Sequence, residues 1–215
     1  MQTRLTWIFD LDNTLHDATP HIFPHLNRSM TAYLREHLML DEAQAGALRA
    51  RYWKAYGATL IGLMRHHETD PEHFLRETHR FPDLARMVVT RAGLRQALRR
   101  LRGRKILFSN APEHYARAVL GLLRIEDLFD ELYAIEGTRF QPKPFSGGFR
   151  LILAREGLTA TRSVLVEDTL QNLRAARRLG MKTVWVTRET RAPRWVDVKI
   201  ASVLTLPRFA GMLGA

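Results

Sequence analysis

The chain contains no cysteine. Disulfides and thiolate metal sites are therefore excluded, and the absence fits a reducing compartment. Long apolar runs are also missing: none approaches the roughly 20 residues that a membrane helix needs. Met1 to Asp10 pass from a short polar start straight into an apolar strand, without a leader or cleavage pattern. These features lead us to expect a cytoplasmic protein with no membrane partner. Lysine is scarce, at 5 of the 33 basic residues, and only 22 acidic residues offset them, for a formal net charge of +11. A strongly basic surface can signal nucleic acid. Here, however, the arginines fall on helix faces, such as Arg95, Arg99, Arg100 and Arg102, or Arg174, Arg177 and Arg178. Aromatic–basic interleaving on a strand and zinc-finger spacing are both absent. A solvated arginine-rich surface, or a positive field that draws anionic substrates, accounts for the charge; a nucleic acid polymer is not an expected partner.

What is present is ordinary for a folded protein. The 215 residues are 46% hydrophobic and 26% charged, enough to bury a core without staples. Short, β-branched apolar runs recur: Leu5 to Phe9, Lys105 to Phe108, Ser163 to Val166, Thr183 to Val186 and, more weakly, Leu132 to Ile135. Their lack of alternation predicts parallel strands covered on both faces. Helical patterns separate them: Gly93 to Leu101, Glu113 to Leu123 with Pro112 in the first turn, Phe149 to Glu156, and Leu170 to Leu179 stopping at Gly180. Such alternation predicts an open α/β sheet. From about His16 to about Ala85 the alternation breaks, with helical patterns such as Ile22 to Leu38 and Asp41 to Tyr56 but no convincing strand. We divide the chain into a core of residues 1–16 and 86–215 and a helical insertion of residues 17–85, within the usual domain sizes. Gly211 to Ala215 reads as a loose tail.

The chemistry gathers at strand ends, where open α/β sheets bind ligands. Asp10-Leu11-Asp12-Asn13-Thr14 follows the first strand. One carboxylate there can act as a nucleophile toward phosphorus, and a second can protonate a leaving alcohol and then activate water. Two carboxylates beside a phosphate repel one another and need a cation; magnesium suits all-oxygen ligands. Asp12-Asn13 can equally be turn chemistry. Ser109-Asn110 follows the second strand, as a phosphate contact or a helix cap. Lys143 lies between Pro142 and Pro144, which stiffen the backbone and can aim it at a nucleophile and a phosphate, or leave it an exposed loop lysine. Glu167-Asp168-Thr169 ends the third strand, as metal ligands or as caps for the next helix.

In this order the four segments resemble the signature of the haloacid dehalogenase superfamily. The resemblance spans the whole core, and the insertion falls where that superfamily places a C1-type cap. It implies a Rossmann-like parallel core and a magnesium-dependent phosphatase. Asp10 would be the nucleophile and Asp12 the general acid and base. Thr14, Ser109, Asn110 and Lys143 would serve the phosphate, with Thr14 supporting its loop. Asp10, the Asp12 main-chain carbonyl and Asp168 would hold Mg2+. Asn13, Glu167 and Asn172 would support these groups from behind; many relatives carry a second acid where this chain has Asn172.

Asp12 argues against a dehalogenase, since those relatives lack the second aspartate. A phosphonatase would need a cap lysine, and the insertion holds only Lys54. A sugar phosphomutase stays open, although no cap feature argues for one. The stretch from Tyr52 to Leu63 resembles the cap of the pyrimidine 5′-nucleotidase branch, as does Asp-Leu-Asp-Asn-Thr-Leu at residues 10–15. That resemblance implies pyrimidine nucleoside 5′-monophosphates as substrates, with Tyr56 and His66 as cap contacts. The alternatives are that Tyr52, Trp53 and Tyr56 pack the insertion's own helices, and that His66 and His67 form a solvated helix end. Two further readings stand beside the nucleotidase. One is a phosphatase for sugar phosphates or phosphoglycolate, and the other is a non-catalytic basic binding module. The expected assembly is a monomer or homodimer.

Overall fold

The computed structural model describes residues 5–214. The polar start at residues 1–4 and the last residue of the expected tail, Ala215, lie outside the described residues. The chain divides into two compact units: one runs to Asp17 and resumes at Val89, and the other is Ala18–Val88.

The first unit is built on a six-stranded, wholly parallel sheet: β1 (Thr6–Phe9), β2 (Arg104–Phe108), β3 (Glu131–Tyr133), β4 (Ser163–Glu167), β5 (Lys182–Val186) and β6 (Val198–Ile200). The spatial order is β3-β2-β1-β4-β5-β6. Every residue of β1 and β4 is buried, which is why these strands read as unbroken apolar runs. The helices of this unit are α6 (Leu94–Arg100), α7 (Glu113–Leu122), α8 (Ser146–Arg155) and α9 (Leu170–Arg178). The core gathers Ile8, Ile106, Phe108, Phe149, Leu165 and Leu173, with Phe108 and Phe149 edge to face at 5.1 Å. Strand order reverses about β1, whose Phe9 pairs with Leu107 of β2 and Val166 of β4. The segments that follow β1, β2 and β4 therefore leave the sheet side by side at its carboxyl edge, the crevice where such sheets bind ligands.

The second unit is helical: α1 (Ile22–Leu38), α2 (Glu42–Tyr56), α3 (Thr59–His67), α4 (Pro71–Thr78) and α5 (Leu84–Met87). Asp41 is the cap of α2, closing a reciprocal box with Gln44. Asp70 caps α4 ahead of Pro71. The close packing of α3 on α2 depends on Gly62, where a Cβ would lie 2.2 Å from Cγ of Tyr52.

The structure departs from the sequence expectations in four places. Strand β6 was not foreseen; it is three residues long, with a lysine at its centre. Helix α8 starts at Ser146 rather than Phe149, because Gly147 and Gly148 act there as contact residues and not as breakers. A Cβ on either would run into Gln141, at 1.6 Å from Oε1 and 2.5 Å from the carbonyl oxygen respectively. Pro112 is the cap of α7 and not a member of its first turn. The expected loose tail is in fact ordered up to Gly214: 3₁₀ turns cover Val203–Arg208 and Ala210–Leu213, Leu213 is buried, and Lys182 Nζ donates to its carbonyl at 2.5 Å. No helix among the described residues is long and apolar enough to cross a membrane.

Candidate active site

Beyond Phe9 the β1–β4 ladder continues for one bond, from Asp10 N–H to the Val166 carbonyl at 3.0 Å. The chain then turns tightly, and Thr14 and Leu15 both donate to the Leu11 carbonyl. Asn13 takes φ 60° there, a left-handed conformation that asparagine tolerates better than most residues. The turn brings Thr14 back under Asp10: Thr14 Oγ1 donates to Asp10 Oδ2 at 3.1 Å. Lys143 Nζ donates to the other oxygen, Oδ1, at 2.6 Å. Both oxygens of the buried Asp10 are thus held.

Lys143 is 2% exposed. Its three ammonium protons are matched by Asp10 Oδ1, Glu167 Oε2 at 2.8 Å and the Phe108 carbonyl at 2.8 Å. The lysine is aimed from behind by Asn110. Asn110 Nδ2 donates to the Lys143 carbonyl at 2.9 Å, and its Oδ1 accepts the Lys143 N–H at 2.8 Å. The side chain expected to face phosphate thus clasps the Lys143 backbone with both polar atoms. Ser109 is 1% exposed, and its Oγ accepts the Ala111 N–H at 3.1 Å. Its hydroxyl proton remains to donate.

On the other side of β1, Glu167 is fully buried, and its second oxygen accepts the Thr169 N–H at 3.2 Å. Asp168 is half-buried; its carbonyl accepts the Trp185 indole N–H at 2.8 Å and its Oδ1 accepts the Thr169 hydroxyl at 3.2 Å. Asp10, Glu167 and Asp168 each present one oxygen, all within 4.8 Å of one another. Glu167, expected only to support the ligands, joins this group directly. Asn172 is half-buried in the first turn of α9, and among the described residues no side-chain hydrogen bond ties it to the carboxylates.

Three acids surround one lysine, so the fully ionised cluster carries two negative charges in excess. Its titration reflects this. Burial, then the charge of Glu167, pushes the Asp10 carboxyl up to about 7 against the pull of Lys143. Burial pushes Glu167 up to about 7 as well, and raises Asp168. A divalent cation would cancel the excess, and an all-oxygen donor set fits magnesium.

Asp12 stands apart from this group. Its Oδ1 accepts the Tyr115 hydroxyl at 2.6 Å and lies 2.9 Å from His16 Nε2. Tyr115 is almost wholly buried on α7; burial and the Asp12 charge push its phenol well above the ordinary range, so it keeps its proton and donates. Neither partner was anticipated. His16, four residues after Asp12 in the same turn, left a readable signal; Tyr115, 103 residues away, left none.

Tyr56 and His66 belong to the helical unit, where Tyr56 Oη and His66 Nε2 are 2.7 Å apart. Beside them Tyr52 is buried, stacks on His66 at 5.5 Å and bonds His67 at 2.9 Å. Burial, helped by His66 and Arg51, holds the His67 imidazole below its ordinary value. Trp53 is 64% exposed.

A buried carboxylate bonded to a buried lysine at the switch point of a parallel sheet, with further acids at the neighbouring strand end, points to a class of hydrolase. The chain belongs to that class: the profile of the haloacid dehalogenase-like hydrolases matches residues 6–180. Among curated proteins it is 26% identical over 210 residues to a phosphoglycolate phosphatase of Pseudomonas putida, covering 92% of this chain and 74% of that one. It is 25% identical over 195 residues to phosphate metabolism protein 8 of Saccharomyces cerevisiae, covering 83% of this chain and 60% of the yeast protein. Among solved structures, a HAD phosphatase from Thermococcus onnurineus superposes with a TM-score of 0.68 at 20% identity, covering 96% and 98% of the two chains. The L-2-haloacid dehalogenase of Xanthobacter autotrophicus gives 0.61 at 17%, covering 97% and 99%. One fold thus carries both a phosphatase and a dehalogenase, and the reaction must be argued from the site.

Proposed function

We propose that the protein is a magnesium-dependent phosphomonoester hydrolase that works through an aspartyl-phosphate on Asp10. The observation that carries this reading is the Asp10–Lys143–Glu167 arrangement beside Asp168, together with a second aspartate, Asp12, two residues after the nucleophile. Asp10 attacks phosphorus while Asp12 gives its proton to the leaving oxygen, and the ester P–O bond breaks. Asp12 then takes a proton from water as the water oxygen attacks phosphorus, which releases inorganic phosphate and restores the Asp10 carboxylate. Thr14 and Lys143 hold Asp10 in line, Asn110 aims Lys143, and the Ser109 hydroxyl is placed to donate to a phosphoryl oxygen. Oxygens of Asp10 and Asp168, with the Asp12 main-chain carbonyl and Glu167 as further donors, would hold Mg2+. Once bound, the ion supplies the positive charge that lets anionic nucleophile and anionic substrate meet.

For the substrate we favour small anionic metabolite esters over pyrimidine nucleotides. Tyr52 is buried under Gly62 and Tyr56 is bonded to His66, which supports a packing role for the aromatic cluster. The name of the Pseudomonas relative, a phosphoglycolate phosphatase, supports the same choice. The sheet-edge residues offer charges and a hydroxyl suited to phosphate and cation, which leaves recognition of the rest of the ester to residues outside this cluster. The test is a panel of 2-phosphoglycolate, sugar phosphates, UMP and CMP with Mg2+, with Asp10→Asn as control. Phosphoglycolate or a sugar phosphate should show the highest kcat/KM, and Asp10→Asn should release no phosphate. Faster turnover of UMP and CMP would restore the nucleotidase reading. Inertness of the wild type toward the whole panel would leave the binding module.

A further inference from the structure

Two buried side chains, His16 and Tyr115, have no part in the chemistry as written so far. Both converge on a single atom, Asp12 Oδ1. The Tyr115 hydroxyl donates to it at 2.6 Å, and His16 Nε2 lies 2.9 Å away. The His16 side chain is wholly enclosed, whereas that of Asp12 is 17% exposed. His16 Nδ1 is buried with no hydrogen-bond partner. An N–H at Nδ1 would be stranded there, whereas a bare lone pair costs less, so the hydrogen belongs on Nε2 and points at Asp12. Oδ1 therefore accepts two hydrogen bonds from buried, rigidly seated donors. Asp12 Oδ2 accepts none among the described residues. The carboxyl rotor is fixed, and its two oxygens are no longer equivalent.

We propose that Tyr115 and His16 are positioning residues for Asp12, holding Oδ1 so that Oδ2 alone carries the transferred proton. The proposal rests on the phosphatase reading above, in which Asp12 is the general acid and base. Oδ2 delivers its proton to the ester oxygen as the P–O bond breaks, and recovers one from the attacking water. Because Oδ1 is occupied, the proton is always on the outward oxygen. Without the clasp, the carboxyl would rotate and divide its proton between two oxygens, only one of which faces the reaction. General acid–base catalysis contributes roughly 10²–10⁴-fold to such reactions, and misplacement by a fraction of an ångström removes part of it.

A general acid matters most when the leaving group is poor, and this separates positioning from packing. Phenyl phosphate and 4-nitrophenyl phosphate have nearly the same shape, but phenolate leaves far less readily than 4-nitrophenolate. Single-turnover rates with Mg2+ are compared for wild type, Tyr115→Phe, His16→Leu and His16→Gln. For Tyr115→Phe and His16→Leu, the phenyl phosphate rate should fall about 10-fold or more beyond any fall with the nitrophenyl ester, with KM little changed. His16→Gln keeps an amide donor and should recover much of the loss. With 4-nitrophenyl phosphate the variants should release a burst of nitrophenol and then turn over slowly, because hydrolysis of the aspartyl-phosphate also needs Asp12. Equal losses on both esters in folded variants, or no loss on either, overturn the proposal while leaving the phosphatase intact. Should Tyr115→Phe fail to fold, the contrast between His16→Leu and His16→Gln decides. A wild type inert toward both esters, and indistinguishable from Asp10→Asn, overturns the phosphatase reading and this proposal with it.

Discussion

Replacing Lys143 by methionine tests the electrostatic account of the site directly. The change keeps most of the buried volume and removes one positive charge with three hydrogen bonds, to Asp10, Glu167 and the Phe108 carbonyl. Two buried carboxyls then lose the cation they share. Breaking a buried ion pair from one side costs about 3–5 kcal/mol. At roughly 2–4 °C per kcal/mol for a chain of this size, Tm should fall by about 6–20 °C. The loss should also depend on pH. Asp10 and Glu167 are raised to about 7 in the fold from ordinary values of 3.8 and 4.5. Between those limits the folded state holds more protons than the unfolded chain, so these two groups make stability fall as pH rises through that window. Lys143 restrains the rise in both, and without it the fall becomes steeper. Thermal unfolding by circular dichroism in EDTA should therefore show a small deficit for Lys143→Met at pH 5 and a large one at pH 8. A deficit equal at both pH values, or none at pH 8, would refute this electrostatic account.

Four further outcomes follow from the structure. Magnesium should stabilise the wild type: at a concentration 100 times its Kd the gain is about 2.7 kcal/mol, which is roughly 5–10 °C in Tm by scanning calorimetry, and Asp168→Ala should abolish it. Asn110→Ala removes both bonds that aim Lys143 and should lower kcat about 10-fold or more with little change in fold, as read by steady-state kinetics and circular dichroism. Gly103→Ala should cost at least about 2 kcal/mol in urea unfolding, because Gly103 has φ 104° and its Cβ would sit 2.0 Å from the Leu5 carbonyl oxygen. Gly46→Ala, in open space on α2, should instead gain up to about 1 kcal/mol.

Much of this architecture was legible because local pattern and global role coincide. Strands β1, β2, β4 and β5 are covered on both faces, so their apolar runs mark them without any knowledge of their neighbours. The acids stand at or just beyond the ends of β1 and β4, neighbours in the sheet, whereas Lys143 reaches them from the loop between β3 and α8. What stayed hidden depends on contacts between distant segments. Gly147 and Gly148 look like helix breakers until Gln141 is seen pressing against them. Asn110 looks like a phosphate contact until Lys143, 33 residues on, takes up its amide. Strand β6 is too short, and too polar at its centre, to declare itself before β5 offers it an edge. The ordered C-terminal turns depend on Lys182, which reaches the Leu213 carbonyl from 31 residues away.

The strand order has a consequence for how the protein is made. β1 leaves the ribosome well before its partners: Thr6 pairs with Arg104 and Ser163. At about 5–20 residues per second, β1 waits roughly 8–30 s after its own synthesis before β4 exists to flank it. Throughout that interval a wholly apolar Trp-Ile-Phe segment has one open edge or two, the condition under which strands find wrong partners. Asp10, the proposed nucleophile, follows that segment directly, so it is made long before Lys143 and Glu167, which will surround it. Nascent chains arrested before residue 163 should therefore be chaperone-bound and inert, and activity should appear only when the far side of the sheet closes.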